Sequence, residues 1–129
     1  MAQCASMKRD MELIRDILIR IEDDPQMDGT REFYFYSAKE MGFPDRSSEE
    51  VSYNFSLLVE EGFVDGAASV FLTIIVRKLT WDGHEFLGNI KSGTIWAKTK
   101  DRVKDLPGIA LKMVAEIAMA EARKHVGLP

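Results

Sequence analysis

The stretch "SSEEVSYNFSLLVEEGFVDGAASVFLTIIVRKL", residues 47–79, decides how this chain folds. Ser47 is followed three positions later by Glu50, the spacing of a capping box: the hydroxyl accepts the N3 backbone N–H while the carboxylate reaches back to the cap's own N–H. Beyond it Val51, Phe55 and Leu58 recur at helical spacing, with Val59 adjoining, so residues 48–61 are predicted to form a helix that stops at Gly62. Phe63–Asp65 then reads as one arm of a hairpin, "GAAS" as its turn region and Val70–Leu79 as the second arm. That second arm is apolar on both faces, with Val70, Leu72, Ile74 and Val76 on one and Phe71, Ile75 and Leu79 on the other. A strand dry on both sides requires cover on both sides: helices on one, the C-terminal segment or a second subunit on the other.

Upstream, "MKRDMELIRDILIRIEDD" places Met11, Ile14, Leu18 and Ile21 on one face with Leu13 and Ile17 beside them, which predicts a helix opened by Ser6 and ended by Pro25. "REFYFY" (31–36) carries the aromatic types that suit a pleated surface. Ser37 with Glu40 is a second capping box, opening a short helix closed by Gly42, and "GFPDR" joins it to the longer helix by a short turn. Downstream, three helical pieces are expected: residues 81–91 after the cap Thr80, residues 95–105 before the Leu106-Pro107-Gly108 break, and residues 109–126, closed by Gly127.

Helix, strand, helix, capped helix, hairpin is the order of a winged helix-turn-helix, and "SEEVSYNFSLLVEEGFV" resembles the recognition helix of that superfamily and its exit. The expected fold class is therefore α+β: a winged helix-turn-helix core over residues 7–79 after a disordered extension at 1–6, and a C-terminal helical extension over 80–129 that packs on the core or dimerises. The joint occurrence of "MKRDMELIRDIL", a "Y…L…G" helix, "LTWDGHEFLGNI" and "IWAKTK" resembles domain-of-unknown-function family 2513, a group of small bacterial and phage proteins. The resemblance runs from Met7 to about Val126 and marks "MAQCAS" as an extension ahead of the usual start. It implies no activity, substrate or cofactor. One departure is visible: members often carry His after the helical tyrosine, where this chain has Asn54.

Composition narrows the function. The 129 residues suit one domain, the single Cys4 excludes an internal disulfide, and no apolar run approaches the ~20 residues of a membrane span. A cytoplasmic location is expected, with no membrane role. Net charge is −4, but residues 8–65 carry 7 basic and 15 acidic side chains while residues 66–129 carry 10 and 6. An acidic half and a basic half can guide oligomerisation or orient a partner.

Catalytic patterns are missing. His84 is followed by Glu85 but not by HExxH spacing, His125 lies far along the chain, and neither GxSxG nor GxGxxG occurs. We read Thr80, Trp81, Asp82, Gly83, His84, Phe86 and Leu87 as a structural seam. Thr80 caps, Asp82 complements the helix dipole, Gly83 permits close approach to the strand, Phe86, Leu87 and Ile90 pack inward, and His84 is a hydrogen-bonded residue at the join. No metal or cofactor is expected.

DNA binding would rest on Lys and Arg. The presumed recognition helix has four glutamates and no basic residue, and the wing tip "DGAASV" has no cation. Its candidate contacts, for nucleic acid or a protein partner, are Ser48, Ser52, Tyr53 and Ser56, away from the buried stripe, with Arg46 just before them. A second candidate set is Lys98, Lys100 and Arg102, which with Lys91 and Lys104 surround Trp96 as nucleic-acid surfaces often do. The last helix offers an apolar face of Ile109, Met113, Val114, Ile117, Ala118 and Val126, for core packing first and dimerisation second. The expected function is a non-enzymatic regulatory or accessory module working through protein contacts, homodimerisation included. The alternative is a sequence-specific DNA-binding regulator, which the acidic helix disfavours.

Overall fold

Among the described residues of the computed structural model, 8–69, 71–106 and 108–129, six helices and a three-stranded antiparallel sheet make an α+β fold. In chain order these are α1 (Met11–Glu22), β1 (Phe33–Phe35), α2 (Ala38–Met41), α3 (Ser48–Glu60), β2 (Val64–Ala68), β3 (Ile74–Leu79), α4 (Trp81–Ile90), α5 (Gly93–Val103) and α6 (Leu111–His125).

The core forms where apolar stripes of the predicted spacing meet. α1 buries Leu13, Ile14, Ile17, Leu18 and Ile21, and α3 buries Val51, Phe55 and Leu58. Each such side chain contributes roughly 1.5–3 kcal/mol when taken fully from water. Both helices pack on the inner face of the sheet, ordered β1-β3-β2, through Ile74 and Val76. α4 adds Phe86, Leu87 and Ile90 against α1, and α6 closes over α4 and α5 with Leu111, Val114 and Ala118.

Caps explain most helix boundaries. Ser47 and Glu50 form the full reciprocal box at α3, and Gly62 follows its C-cap with a φ of 81°, a conformation costly for any side chain with a Cβ. The α2 box is only half made: Ser37 accepts from Glu40 N–H, but the Glu40 carboxylate accepts the N–H of Tyr36 rather than that of the cap. α1 starts at Met11, capped by Asp10. The expectations for the Ser6 cap and for an extension at 1–6 lie outside the described residues. α5 begins two residues before the expected 95, because Ser92 accepts from Ile95 N–H.

The hairpin differs from expectation in both arms. β2 runs to Ala68 and β3 starts only at Ile74, because Ser69 ties the turn: its N–H donates to Thr73 O and its hydroxyl accepts from Phe71 and Thr73. Leu72 sits there with a φ of 64°, and Phe71 is 85% exposed rather than on a dry face. Val70 lies outside the described residues. Nor is β3 dry on both sides. Asp65 pairs with Lys78 but Gly66 pairs with Val76, so Arg77 is an extra residue in β3. Such a bulge resets the two-residue alternation, and Leu79 joins the buried side of Ile74 and Val76. The outer face carries half-exposed Tyr34 and partly buried Ile75. The C-terminal helices do not cover it; they pack beside α1.

Candidate functional site

Ser52, Tyr53 and Ser56 of α3 do share one surface. With Glu49 they form one wall of a groove of about 410 Å³, and Ala68, Ser69 and Leu72 from the hairpin form the other. Helical spacing gathers the α3 residues, and the Ser69-tied turn brings the hairpin up to them. Among the described residues, the Glu49 carboxylate is the only charge lining this groove. Exposed Phe71 lies in the same turn as Leu72.

The serines are less available than their helical positions implied. Ser52 is buried, which corrects its placement away from the buried stripe: the hairpin turn leans over it. Ser48 accepts the N–H of Ala38 at 3.0 Å and so ties α3 to α2. Ser56 donates to the carbonyl of Tyr53 at 2.6 Å. Arg46 faces Asp10 at 2.6 Å and Glu50 at 3.7 Å, so its charge is already matched. Tyr53 also lines a second cleft, of about 550 Å³, with Lys8, Arg9, Glu61 and the start of α6.

The α5 cations are engaged as well. Lys100 pairs with Glu12 of α1 and lies 5.4 Å from the Trp96 ring centroid, while Arg102 meets Glu121 at 2.8 Å. Trp96 is only 4% exposed and its Nε1 donates to Glu12 at 3.0 Å, so it is a core residue and cannot stack on a base. Lys98 alone of the three is exposed without an ion pair among the described residues. The Glu12 carboxyl is held below its ordinary range, first by the Lys100 hydrogen bond and then by Trp96.

At the seam, Thr80 accepts from Gly83 N–H at 3.0 Å, and its hydroxyl donates to Gly62 O. A Cβ on Gly83 would lie 2.0 Å from Phe63 O, so only glycine allows this approach. Phe86 and Leu87 are buried; Phe63 and Phe86 stack at 5.0 Å. Two expectations fail. Trp81 projects into solvent, and His84 is exposed with no side-chain hydrogen bond among the described residues; its backbone N–H donates to Thr80 O. Both occupy the solvent side of α4, because Phe86, Leu87 and Ile90 take the inner side. Among the described residues no group of three or more His, Cys, Asp or Glu is placed to hold a metal.

Sequence reasoning missed Asn54. It is 0% exposed, accepts from Asp10 N–H at 2.8 Å and donates to Glu50 O at 2.9 Å. Its signal was there, a polar residue between Val51 and Phe55 beside the apolar stripe. Arg15, which donates to the carbonyls of Ile90 and Lys91, left no such signal.

An α+β fold with a groove between α3 and the hairpin that Glu49 borders, and with Arg46, Lys100 and Arg102 each paired to a carboxylate, thus defines the molecule. The chain belongs to the family described as "Hypothetical protein (DUF2513)", whose model matches residues 8–110. It is also similar to an "Uncharacterized protein" of Haemophilus influenzae (strain ATCC 51907 / DSM 11121 / KW20 / Rd), 35% identical over 122 residues that span 89% of this chain and 98% of that one. No solved structure matches. Among the described residues no helix is long and apolar enough to cross a membrane.

Proposed function

We propose that this is a winged helix-turn-helix module of bacterial or phage type, working in the cytoplasm as a non-enzymatic regulatory or accessory protein through protein contacts. The groove between α3 and the hairpin carries this reading. In a DNA-binding member α3 would face the major groove and the hairpin would flank phosphates, and both need cations. Here Glu49, Glu50, Glu60 and Glu61 lie on or at the end of α3, and among the described residues no cation lines the groove. It offers Tyr53, Leu72 and the neighbouring exposed Phe71 instead. Aromatic and aliphatic anchors in a groove are what protein interfaces use.

A photo-crosslinking residue placed at Phe71 in living cells tests the proposal. Adducts that protease removes and nuclease leaves intact are the expected result. Adducts removed by nuclease would overturn it in favour of a sequence-specific DNA-binding regulator.

A further inference from the structure

α6 carries two adjacent stripes at three- and four-residue spacing. Leu111, Val114, Ala118 and Glu121 are buried within the chain. One position on, Ala115, Met119, Ala122 and Val126 form a second stripe that the chain covers only in part: Met119 is 48% and Val126 68% exposed, while Ala115 and Ala122 are partly buried. This stripe borders a cleft of about 280 Å³ between α4 and α6, floored by Phe63 and Phe86 and walled on the α4 side by Asp82 and Glu85. Alternating three and four is the spacing of a helix that packs along another helix.

We infer that the second stripe is a self-association surface, occupied by α6 of a second copy running antiparallel. The side chains favour that occupant. With the helices antiparallel, Met119 lies opposite the partner's Ala122, and Ala115 opposite the partner's Val126. Each layer then sets a large side chain against a small one, and two-fold symmetry repeats it. Charge agrees. Glu116 and Arg123 sit seven residues apart on one edge of the stripe; no ion pair engages Glu116 among the described residues, and Arg123 Nε donates to Pro129 O at 2.9 Å, leaving the rest of its guanidinium for a partner. The same antiparallel register places Glu116 beside the partner's Arg123 twice over. It also brings the basic last turn of α6, with Arg123, Lys124 and His125, towards the acidic α4 wall of the other copy.

This inference deepens the protein-contact reading by naming one partner. It uses a surface apart from the α3 groove, so an assembly measurement can fail while the Phe71 crosslink succeeds, and the reverse. Sedimentation velocity of the full chain from about 1 to 500 µM should show a monomer–dimer equilibrium. Glu116→Arg alone and Arg123→Glu alone each turn two attractive pairs into two repulsive ones, and each should weaken the dimer at least about tenfold. The double swap, Glu116→Arg with Arg123→Glu, should restore it. Circular dichroism melts check that all three variants fold, as their exposed positions lead us to expect. A wild-type chain that stays monomeric throughout, a dimer indifferent to the single swaps, or a double swap that fails to recover association would each overturn the inference.

Discussion

Asp10 joins two helices through three groups. One carboxylate oxygen caps α1 by accepting from Leu13 N–H, the other meets Arg46, and its own N–H donates to Asn54 of α3. Burial pushes the Asp10 carboxyl up, but the Arg46 hydrogen bond, the Leu13 N–H and the Arg46 charge outweigh it and leave it below the ordinary range. A carboxyl depressed in the folded state adds stability above its unfolded value, about 3.9, and that contribution is lost as pH falls through the folded value. Asp10→Asn keeps a good N-cap and removes the charge. Its melting temperature should fall below wild type at pH 7, and the gap should narrow progressively as pH falls below the ordinary carboxylate range; a gap that does not narrow in acid would point to the cap instead. Asn54→Leu leaves the Asp10 N–H buried without a partner, and should cost about 1–3 kcal/mol in urea denaturation. The Asn54 amide supplies both an acceptor for Asp10 and a donor for Glu50.

Elements meet most tightly where α4 passes the entry to β2. Gly83→Ala drives a methyl against the Phe63 carbonyl, a backbone atom with nowhere to go, and should destabilise by about 3 kcal/mol in a thermal melt. The tightness of that contact was legible beforehand, because a glycine just after a cap threonine reads as close approach. So was the helix at 48–60, where box, stripe and stop all agree. The hairpin was not. Its apolar run from Val70 to Val76 hides a turn that depends on Ser69 accepting two backbone N–H groups, and a bulge that depends on pairing across strands. Neither leaves a periodicity. The same limit applies to α6, where Met113 and Val126 were grouped with the packing face but are exposed: the helix offers several apolar stripes, and only its neighbours α4 and α5 select which is buried. Half of the candidate site was readable for the same reason. Ser52, Tyr53 and Ser56 share a helical face, whereas Ala68, Ser69 and Leu72 arrive by tertiary folding.

Across the whole molecule, the acidic and basic halves are turned partly on one another. Glu12 meets Lys100 and Glu22 meets Lys91, linking α1 to the helices at the other end of the chain. Exposed pairs of this kind each contribute only about 0–1 kcal/mol to stability, but they decide what the surface shows. Lys100, Arg102 and Arg46 are neutralised by carboxylates, while α3 presents its glutamates beside an uncharged turn. Charge counted along the chain could not reveal this, since the pairs span 69 and 88 residues. On the proposed reading, this face meets protein and turns polyanions away. Fluorescence anisotropy with random-sequence duplex DNA, at about 50 and 200 mM salt, tests it most directly. We expect no binding at micromolar protein even at the lower salt. Sub-micromolar affinity that falls by roughly a thousandfold or more between the two would contradict it, because only a surface rich in phosphate contacts behaves that way.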